Sequence, residues 1–265
     1  TPRNIELNRL INCTPEKMRT YTTKLFPVLD KINPALRFCA DETMLQPTIH
    51  KKVLVPKNMP NPISPNDVLL PHITAMCCNN VIGENMPLFI ILPSLKKLPN
   101  DLVEFQEMNQ AIFASTSNGW QTRGTFLWFV ICFINWVSIY RLKLDKKIRY
   151  DQAILIVDGH KSRECPIALK MLQQHNILLF VIPSHTSHVT QLFDVGIASP
   201  MKSQFSTLLK SMMQNFNPDD NNQGQLRRFC VDAAIQSWSI KSNYRSCTKA
   251  AKLTGIYPCD DTCLM

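Results

Sequence analysis

The sequence predicts an α/β fold in which helices cover a mixed β-sheet. Two apolar runs rich in β-branched residues, at 153–157 and 177–182, are separated by a polar turn and a helix-like stretch at about 166–175. This pattern is typical of a βαβ unit, because parallel strands that are apolar on both faces must lie inside a covered sheet. Apolar runs at 68–78 and 86–92, joined by a turn containing Asn and Gly, predict an antiparallel hairpin. The sheet is therefore expected to be mixed.

The composition is that of a globular protein with a sizeable core. The chain has 265 residues, of which 45% are hydrophobic and 18% charged, and this excludes a disordered tail, a collagen-like fibre and a disulfide-stapled mini-protein. The formal net charge of +9 favours a polyanionic partner such as nucleic acid. Ten cysteines without paired C-x-x-C blocks predict reduced, mostly buried thiols and an intracellular compartment.

The first part of the chain is predicted to contain helices, a strand and a loop. Residues 1–35 have spaced apolar positions that predict one or two helices leading into the domain. The short apolar segment 35–40 predicts a strand that delivers Asp41 at its carboxyl end. Residues 46–66 contain five prolines and are expected to form a loop.

The apolar stretch 126–140 needs to be distinguished from a membrane span. It is shorter than the roughly 20 residues that a bilayer core demands, and Asn135 and Ser138 interrupt it. A buried helix is the better interpretation, and no membrane partner is expected.

Three aspartates occupy positions where strands end or helices begin. Asp158 follows the buried run 153–157, Asp41 follows the first strand, and Asp194 lies 12 residues past Ile182. A lone aspartate at such a position commonly turns a loop or caps a helix, so each one alone is a weak signal. Three carboxylates that meet at one sheet edge would form a hard-oxygen site for Mg²⁺ or Mn²⁺.

These aspartates lie in segments that resemble a known family. The three segments are similar to the acid motifs of the DDE superfamily endonuclease domain found in pogo, Tigger and jerky-like transposases, which are related to mariner. Residues 73–93, 119–122 and 254–258 resemble further landmarks of that domain, so the resemblance covers about residues 36–258. The acid motifs are Phe38-Cys39-Ala40-Asp41-Glu42-Thr43, Ile154-Leu155-Ile156-Val157-Asp158-Gly159-His160-Lys161-Ser162 and the segment from Pro183 to Gly196.

The resemblance implies an RNase H-like α/β fold, with a mixed five-stranded sheet flanked by helices. Asp41 would end the first strand, Asp158 would end the fourth, and Asp194 would open a helix after the fifth. The domain limits that follow are a helical lead-in segment at 1–35, a catalytic domain at 36–258 and a tail at 259–265.

The resemblance also implies an activity, which is metal-dependent DNA cleavage and strand transfer by a DDE/DDD endonuclease core. Asp41, Asp158 and Asp194 would be the catalytic residues and would bind Mg²⁺ or Mn²⁺, with two ions expected. The implied partners are transposon ends and target DNA, the implied location is the nucleus, and the implied assembly is a homodimer, although no coiled-coil heptads support one. A domesticated DNA-binding or chromatin protein without cleavage is the alternative. An RNase H-like nuclease acting on RNA hybrids fits the fold but not the third motif.

Several polar residues near these motifs have alternative interpretations. Lys202 matches a basic residue of the family and is assigned to the DNA backbone. His185 and His188 are expected to orient the loop and reach a phosphate or an acid, and His160 is expected to lie around the metal ligands. His160 and His185 are also assigned to DNA binding. Zinc binding through His185 and His188 has no cysteine partner of suitable spacing. Glu42 should point to the opposite face of the strand from Asp41, so it is not expected to be a ligand. The family commonly has a histidine where Arg163 stands in this sequence.

Overall fold

The structure is a computed structural model that describes residues 13–50, 66–68, 71–214, 223–260 and 262. Part of the predicted lead-in segment and part of the predicted tail therefore lie outside the described residues. The helices are α1 (Pro15–Leu29), α2 (Asn100–Glu107), α3 (Arg123–Arg141), α4 (Pro166–Gln174), α5 (Ser187–Thr190), α6 (Leu192–Gly196), α7 (Ala198–Met212), α8 (Gln223–Lys241) and α9 (Tyr244–Leu253). The strands are β1 (Arg37–Leu45), β2 (Thr48–His50), β3 (Asn66–Val68), β4 (Ile73–Asn80), β5 (Leu88–Pro93), β6 (Ala111–Thr116), β7 (Ala153–Val157) and β8 (Ile177–Val181).

The main sheet is mixed, as predicted, and has the order β6-β5-β4-β1-β7-β8. The hairpin of β4 and β5 is antiparallel, and β7, α4 and β8 form the predicted parallel βαβ unit. The predicted count of five strands is wrong, because β6 pairs in parallel with β5 and adds a sixth strand at the edge. As a consequence, Asp158 follows the fifth strand of this sheet in chain order, and the sixth strand, β8, precedes Asp194.

Strand β1 is longer than the sequence indicates. It continues past Asp41 to Leu45, because β4 pairs with it in antiparallel fashion as far as Leu45 and Ile73. On its other side, β7 pairs with β1 only as far as Ala40 and Val157. Asp41 therefore lies inside β1, at the point where the neighbouring strand ends. The segment that follows is also not all loop, since β2 and β3 pair with each other.

Helix α3 covers one face of the sheet, as expected for a buried helix. The ring of Phe38 on β1 makes edge-to-face contacts with Phe133, Trp136 and Tyr140, at centroid distances of 5.4, 5.6 and 6.0 Å. Among the described residues, this helix alone has the length and composition of a membrane span. That property is weak evidence for a span, because the core helices of soluble proteins share it, and here the helix packs on the sheet.

The opposite face of the sheet packs against α1 and the helices near the carboxyl end of the chain. Tyr21 on α1 contacts Phe180 on β8, with ring centroids 6.0 Å apart, so the helical lead-in segment shares the core of the main sheet. Cys77 on β4 lies 3.9 Å from Met201 on α7, measured between their sulfur atoms. The nine described cysteines are free, as the composition predicts, and six of them are buried.

Candidate active site

The sheet brings two of the predicted aspartates together. Because Ala40 and Val157 are paired in the parallel register, Asp41 and Asp158 follow at equivalent positions on neighbouring chain segments. The ligand oxygens of Asp41, Glu42 and Asp158 all lie within 4.8 Å of one another. Within the described residues, these three side chains form a group that is compact enough to hold a metal ion.

Asp194 reaches the same site from α6. The buried side chain of Gln191 donates a hydrogen bond from Nε2 to the carbonyl oxygen of Ala40, at 2.7 Å, and so fixes the start of α6 beside Asp41. Asp194 is outside the compact acid group, but it lines the same cavity of about 540 Å³. That cavity is lined by Asp41, Glu42, Thr43, Met44, Thr74, Trp120, Gln121, Asp158, His160, Ser187, Asp194 and Lys202.

The placement of α6 depends on a close helix contact at Gly196. A Cβ at this position would lie 2.5 Å from the Cβ of Ala250 and 3.3 Å from its Cα, so α6 and α9 approach more closely than a side chain permits. We expect Gly196→Ala to lower the free energy of unfolding by about 1–3 kcal/mol, as overpacked cores do. Urea denaturation measures this change.

The matched control for Gly196 is Gly124→Ala on α3. A Cβ at Gly124 would have Thr122 Oγ1 as its nearest neighbour at 3.7 Å, so this substitution should be neutral or slightly stabilising. Adding Ala250→Gly to Gly196→Ala should restore much of the lost stability, because it removes the atom that clashes. Equal effects of the two alanine substitutions would contradict the close contact.

The acid cluster creates a strong local electrostatic penalty. Burial raises the pKa of Asp41 well above its ordinary value, and the charges of Asp194, Asp158 and Glu42 raise it further, in that order. The guanidinium of Arg163 opposes these effects. Asp194 therefore acts electrostatically on Asp41, although it lies outside the compact group.

Arg163 forms ion pairs with two of the acids, Glu42 and Asp158. Its guanidinium donates hydrogen bonds of 2.8 Å to Glu42 Oε1 and to Asp158 Oδ1, and it also pairs with Glu42 Oε2. Burial lowers the pKa of Arg163, but the charges of Glu42, Asp158 and Asp41 outweigh that effect and raise it. Arg163 therefore remains a cation, and it lies over the ring of Phe126 on α3 at 4.8 Å.

The position of Glu42 agrees with the alternation of side chains along β1. Its partner Arg163 contacts α3, whereas Asp41 lies near Asp194 and Lys202. Because both oxygens of Glu42 are engaged by Arg163, its charge is already neutralised. Glu42 is thus close to the other acids in space without being the best candidate for a metal ligand.

The basic residues predicted to bind DNA also surround the acids. Lys202 on α7 and His160 line the cavity of about 540 Å³. His185, His160 and Asp158 line a smaller adjoining cavity of about 220 Å³. The imidazole of His160 is hydrogen-bonded through Nδ1 to Ser162 Oγ at 2.9 Å. Neither His185 nor His188 belongs to the compact metal-type group of the described residues, so zinc gains no support from this part of the chain.

The donor set fits a hard divalent cation. Carboxylate oxygens are the ligands that Mg²⁺ and Mn²⁺ prefer. Four carboxylates and two cationic side chains, Lys202 and Arg163, line or adjoin the cavity, which leaves a net negative charge. After Glu42 has been assigned to Arg163, the residues available to hold an ion are Asp41, the free oxygen of Asp158, and Asp194.

Comparison with known proteins identifies the family. Residues 71–246 match the family described as DDE superfamily endonuclease, which is more than half of the chain. The chain belongs to this superfamily. Asp158 and Asp194 lie inside the matched range and Asp41 lies before it, so the assignment of Asp41 depends on the geometry of β1. The family resemblance predicted from the acid motifs is confirmed.

A solved structure of a Mos1 complex has a similar fold. The crystal structure of the Mos1 strand transfer complex aligns with a TM-score of 0.54 and 10% identity, over 100% of this chain and 64% of that one. The catalytic domain of Mos1 mariner transposase aligns with a TM-score of 0.45 and 10% identity, over 94% of this chain and 97% of that one. The predicted RNase H-like α/β class is confirmed, with six strands.

A fungal protein matches a smaller part of the chain. The protein of Cochliobolus lunatus named MFS-type transporter clz9 is 27% identical over 100 residues, which is 38% of this chain and 10% of that protein. This chain therefore spans a small part of that relative and 64% of the Mos1 chain in the strand transfer complex.

Sequence reasoning did not assign a role to three side chains of the site. Arg163 was recognisable only as a departure from the family pattern, and its ion pair with Glu42 joins residues 121 positions apart. Gln191 stands within the third acid motif, but nothing in its type indicates a bond to Ala40. Gln121 follows Trp120 in a family landmark, which marks the segment without showing that it lines the acid cavity.

Proposed function

We propose that this chain cuts DNA strands and joins them to new sites, with divalent metal ions held by Asp41, Asp158 and Asp194. The observation that carries the proposal is the convergence of these three carboxylates on one cavity in a chain of the DDE endonuclease superfamily. The mutual repulsion of these acids is a cost that bound cations would relieve. Two ions are proposed, because in-line displacement at phosphorus is served by a pair of metals.

The chain's own residues would position the DNA strand for this reaction. When bound, the metal ions supply an activated water or 3′-hydroxyl and stabilise the leaving oxygen. Lys202, which is exposed at the rim of the cavity, would bind a phosphate next to the scissile one. His160 and His185, which line the adjoining cavity, would contact the same strand. The proposed partner is DNA, and the proposed location is the nucleus. A homodimer is also proposed, since transposition joins two element ends.

One observation favours the alternative of a domesticated DNA-binding protein without cleavage activity. Arg163 occupies Oδ1 of Asp158, which is one of the two oxygens that this carboxylate offers to a metal. A cation in that place competes electrostatically with a bound divalent ion. The alternative therefore depends on whether Asp158 still binds metal strongly enough for catalysis.

A nicking assay separates the two functions. Supercoiled plasmid is incubated with the full chain and Mn²⁺ or Mg²⁺, and the appearance of open-circular DNA is followed over time. We expect nicking by the wild type and none above background by Asp158→Ala, because the loss of one carboxylate disables the metal site. Equal nicking by both proteins, or none by either, would rule out the cleavage proposal, and DNA binding without nicking would support the alternative.

A further inference from the structure

We infer that Trp120, Gln121, Thr74 and Met44 form a binding subsite for an unpaired nucleobase beside the acid cluster. All four residues line the cavity that holds the aspartates. The inference rests on the proposed function, since it specifies how the DNA strand next to the cut would be held. It assigns a role to a wall of the cavity that has no carboxylate and no cationic side chain.

Trp120 presents an aromatic surface at this wall. Trp120 is 48% exposed, and it lines the same cavity as the acids. The ring of His72 packs against the indole with a centroid distance of 4.5 Å and an interplanar angle of 45°. The backbone is fixed as well, because Asn118 Oδ1 accepts a hydrogen bond from the amide of Trp120 at 3.1 Å and Thr116 Oγ1 donates one to its carbonyl at 3.1 Å. A supported, exposed indole is the surface on which a nucleobase stacks.

Gln121 adds hydrogen-bonding groups that have no partner. Only 9% of its surface is exposed, and neither Oε1 nor Nε2 is hydrogen-bonded within the described part of the chain. Thr74 Oγ1, on β4, is also buried and unpartnered, and it lines the same cavity. Buried polar groups without partners are costly, and such groups are usually satisfied by a ligand or by water. The amide of Gln121 offers one acceptor and two donors to the edge of a base.

The composition of the wall favours a base over a phosphate. A phosphate would require a cation, and among the cavity-lining residues the lysine is Lys202, which is on α7 near the acids. The indole of Trp120 and the thioether of Met44, which is 43% exposed, instead offer apolar surface on which a flat ring can pack. Met44 is two residues beyond Glu42 on the same face of β1, about 7 Å along the strand. A strand that runs from the acids along β1 would carry a base to this wall.

The test uses short single-stranded oligonucleotides that contain 2-aminopurine, with the full chain in Ca²⁺ buffer. We expect the fluorescence of 2-aminopurine to be quenched by the wild type, because its base stacks on an indole. Replacing the probed nucleotide by an abasic one should weaken binding roughly 5- to 100-fold, the range that stacking supplies. In Trp120→Ala the quenching should disappear and the base and abasic oligonucleotides should bind equally.

Three variants exclude a merely structural explanation. Trp128→Ala is the matched control, because Trp128 on α3 is similarly exposed at 44% but does not line the cavity, and it should keep the full preference for a base. Trp120→Phe retains a ring and should recover part of the quenching. Gln121→Ala should reduce the preference for a base while leaving some quenching. The subsite would be overturned if the wild type bound base and abasic strands equally or bound neither. It would also be overturned if Trp120→Ala and Trp128→Ala lost the preference for a base equally.

Failure of the subsite can be distinguished from failure of the proposed cleavage function. Asp158→Asn should lose nicking and still quench 2-aminopurine, because Asp158 is not part of the wall. Quenching by a wild type that does not nick plasmid would retain the subsite and reject cleavage. Nicking without any preference for a base would retain cleavage and reject the subsite.

Discussion

Replacing Arg163 by glutamine is expected to lower the free energy of unfolding by about 3–5 kcal/mol at pH 7 in metal-free buffer. The side chain of Arg163 is 3% exposed and pairs with both Glu42 and Asp158. Its removal leaves these two carboxylates beside Asp41 without a cation, and it also removes the contact of the guanidinium with the ring of Phe126. Urea denaturation of the variant and the wild type measures the change.

The control for this prediction is Arg123→Gln. Arg123 forms an ion pair with Glu164 at 3.2 Å, but both side chains are exposed, so water screens the pair and its loss should cost less than about 1 kcal/mol. Combining Arg163→Gln with Glu42→Gln should recover part of the stability, because the second substitution removes one of the uncompensated charges. If Arg163→Gln cost no more than Arg123→Gln, the buried ion pair would contribute little to the fold.

Arg163→Gln should also change the response to metal. With Glu42 and Asp158 both released, more carboxylate oxygens become available to a divalent cation, so Mn²⁺ should stabilise this variant more than it stabilises the wild type. The shift in unfolding temperature with Mn²⁺ concentration measures this difference. A smaller shift than in the wild type would mean that Arg163 orients Asp158 for the metal rather than competing with it.

Much of the fold is predictable from local hydrophobic pattern. Strands β7 and β8 are continuous apolar runs, and this gives them a clear signal. The run fits β7, which lies inside the sheet and is buried at every position, whereas β8 is an edge strand that is mostly half-buried. Strand β6 has no such signal, since Ala111–Thr116 has two adjacent large apolar residues among small and polar ones, and most of its positions are half-buried at the sheet edge. The length of β1 beyond Asp41 cannot be predicted from local sequence either, because it depends on pairing with β4.

The site is predictable in its acids and not in its supporting contacts. Asp158 follows the end of β7, Asp41 lies on β1 beside that end, and Asp194 lies in the first turn of α6. Topology directs ligands toward this edge of the sheet. The hydrogen bond from Gln191 to Ala40 crosses 151 positions of sequence, and the register that permits it is a property of the folded chain. The pairing of Arg163 with Glu42 has the same long-range character, so neither residue type alone indicates its role.

Replacing Asp41 by asparagine is expected to stabilise the metal-free protein at neutral pH by about 1–3 kcal/mol. Burial and the charges of Asp194 and Asp158 raise the pKa of Asp41 in the folded chain, so folding favours its neutral form. The stability that this group contributes is present below its ordinary pKa of 3.8 and is lost as the pH rises toward the raised value. Asparagine is uncharged at every pH and does not suffer this loss.

The measurement is the unfolding temperature in EDTA between pH 4 and pH 8. The variant should exceed the wild type by several degrees near pH 7. The difference should narrow as the pH falls toward 4, because Asp41 is then neutral in the folded chain and becomes increasingly protonated in the unfolded chain as well. Asp151→Asn, at an exposed position in the turn before β7, is the matched control and should stay within about 0.5 kcal/mol of the wild type. A lower unfolding temperature for Asp41→Asn in EDTA would show that the neighbouring carboxylates do not repel this group.

Adding Mn²⁺ should reverse the order of the two proteins. The wild type gains stability because the ion binds the folded state, whereas Asp41→Asn has lost a charged ligand and should gain little. The same substitution should abolish plasmid nicking. Removing Asp41 is thus expected to stabilise the metal-free fold and to eliminate metal binding. Such a cost in stability is expected of a residue that serves function rather than folding. An unchanged response to Mn²⁺ would place the metal elsewhere and would remove Asp41 from the proposed ligand set.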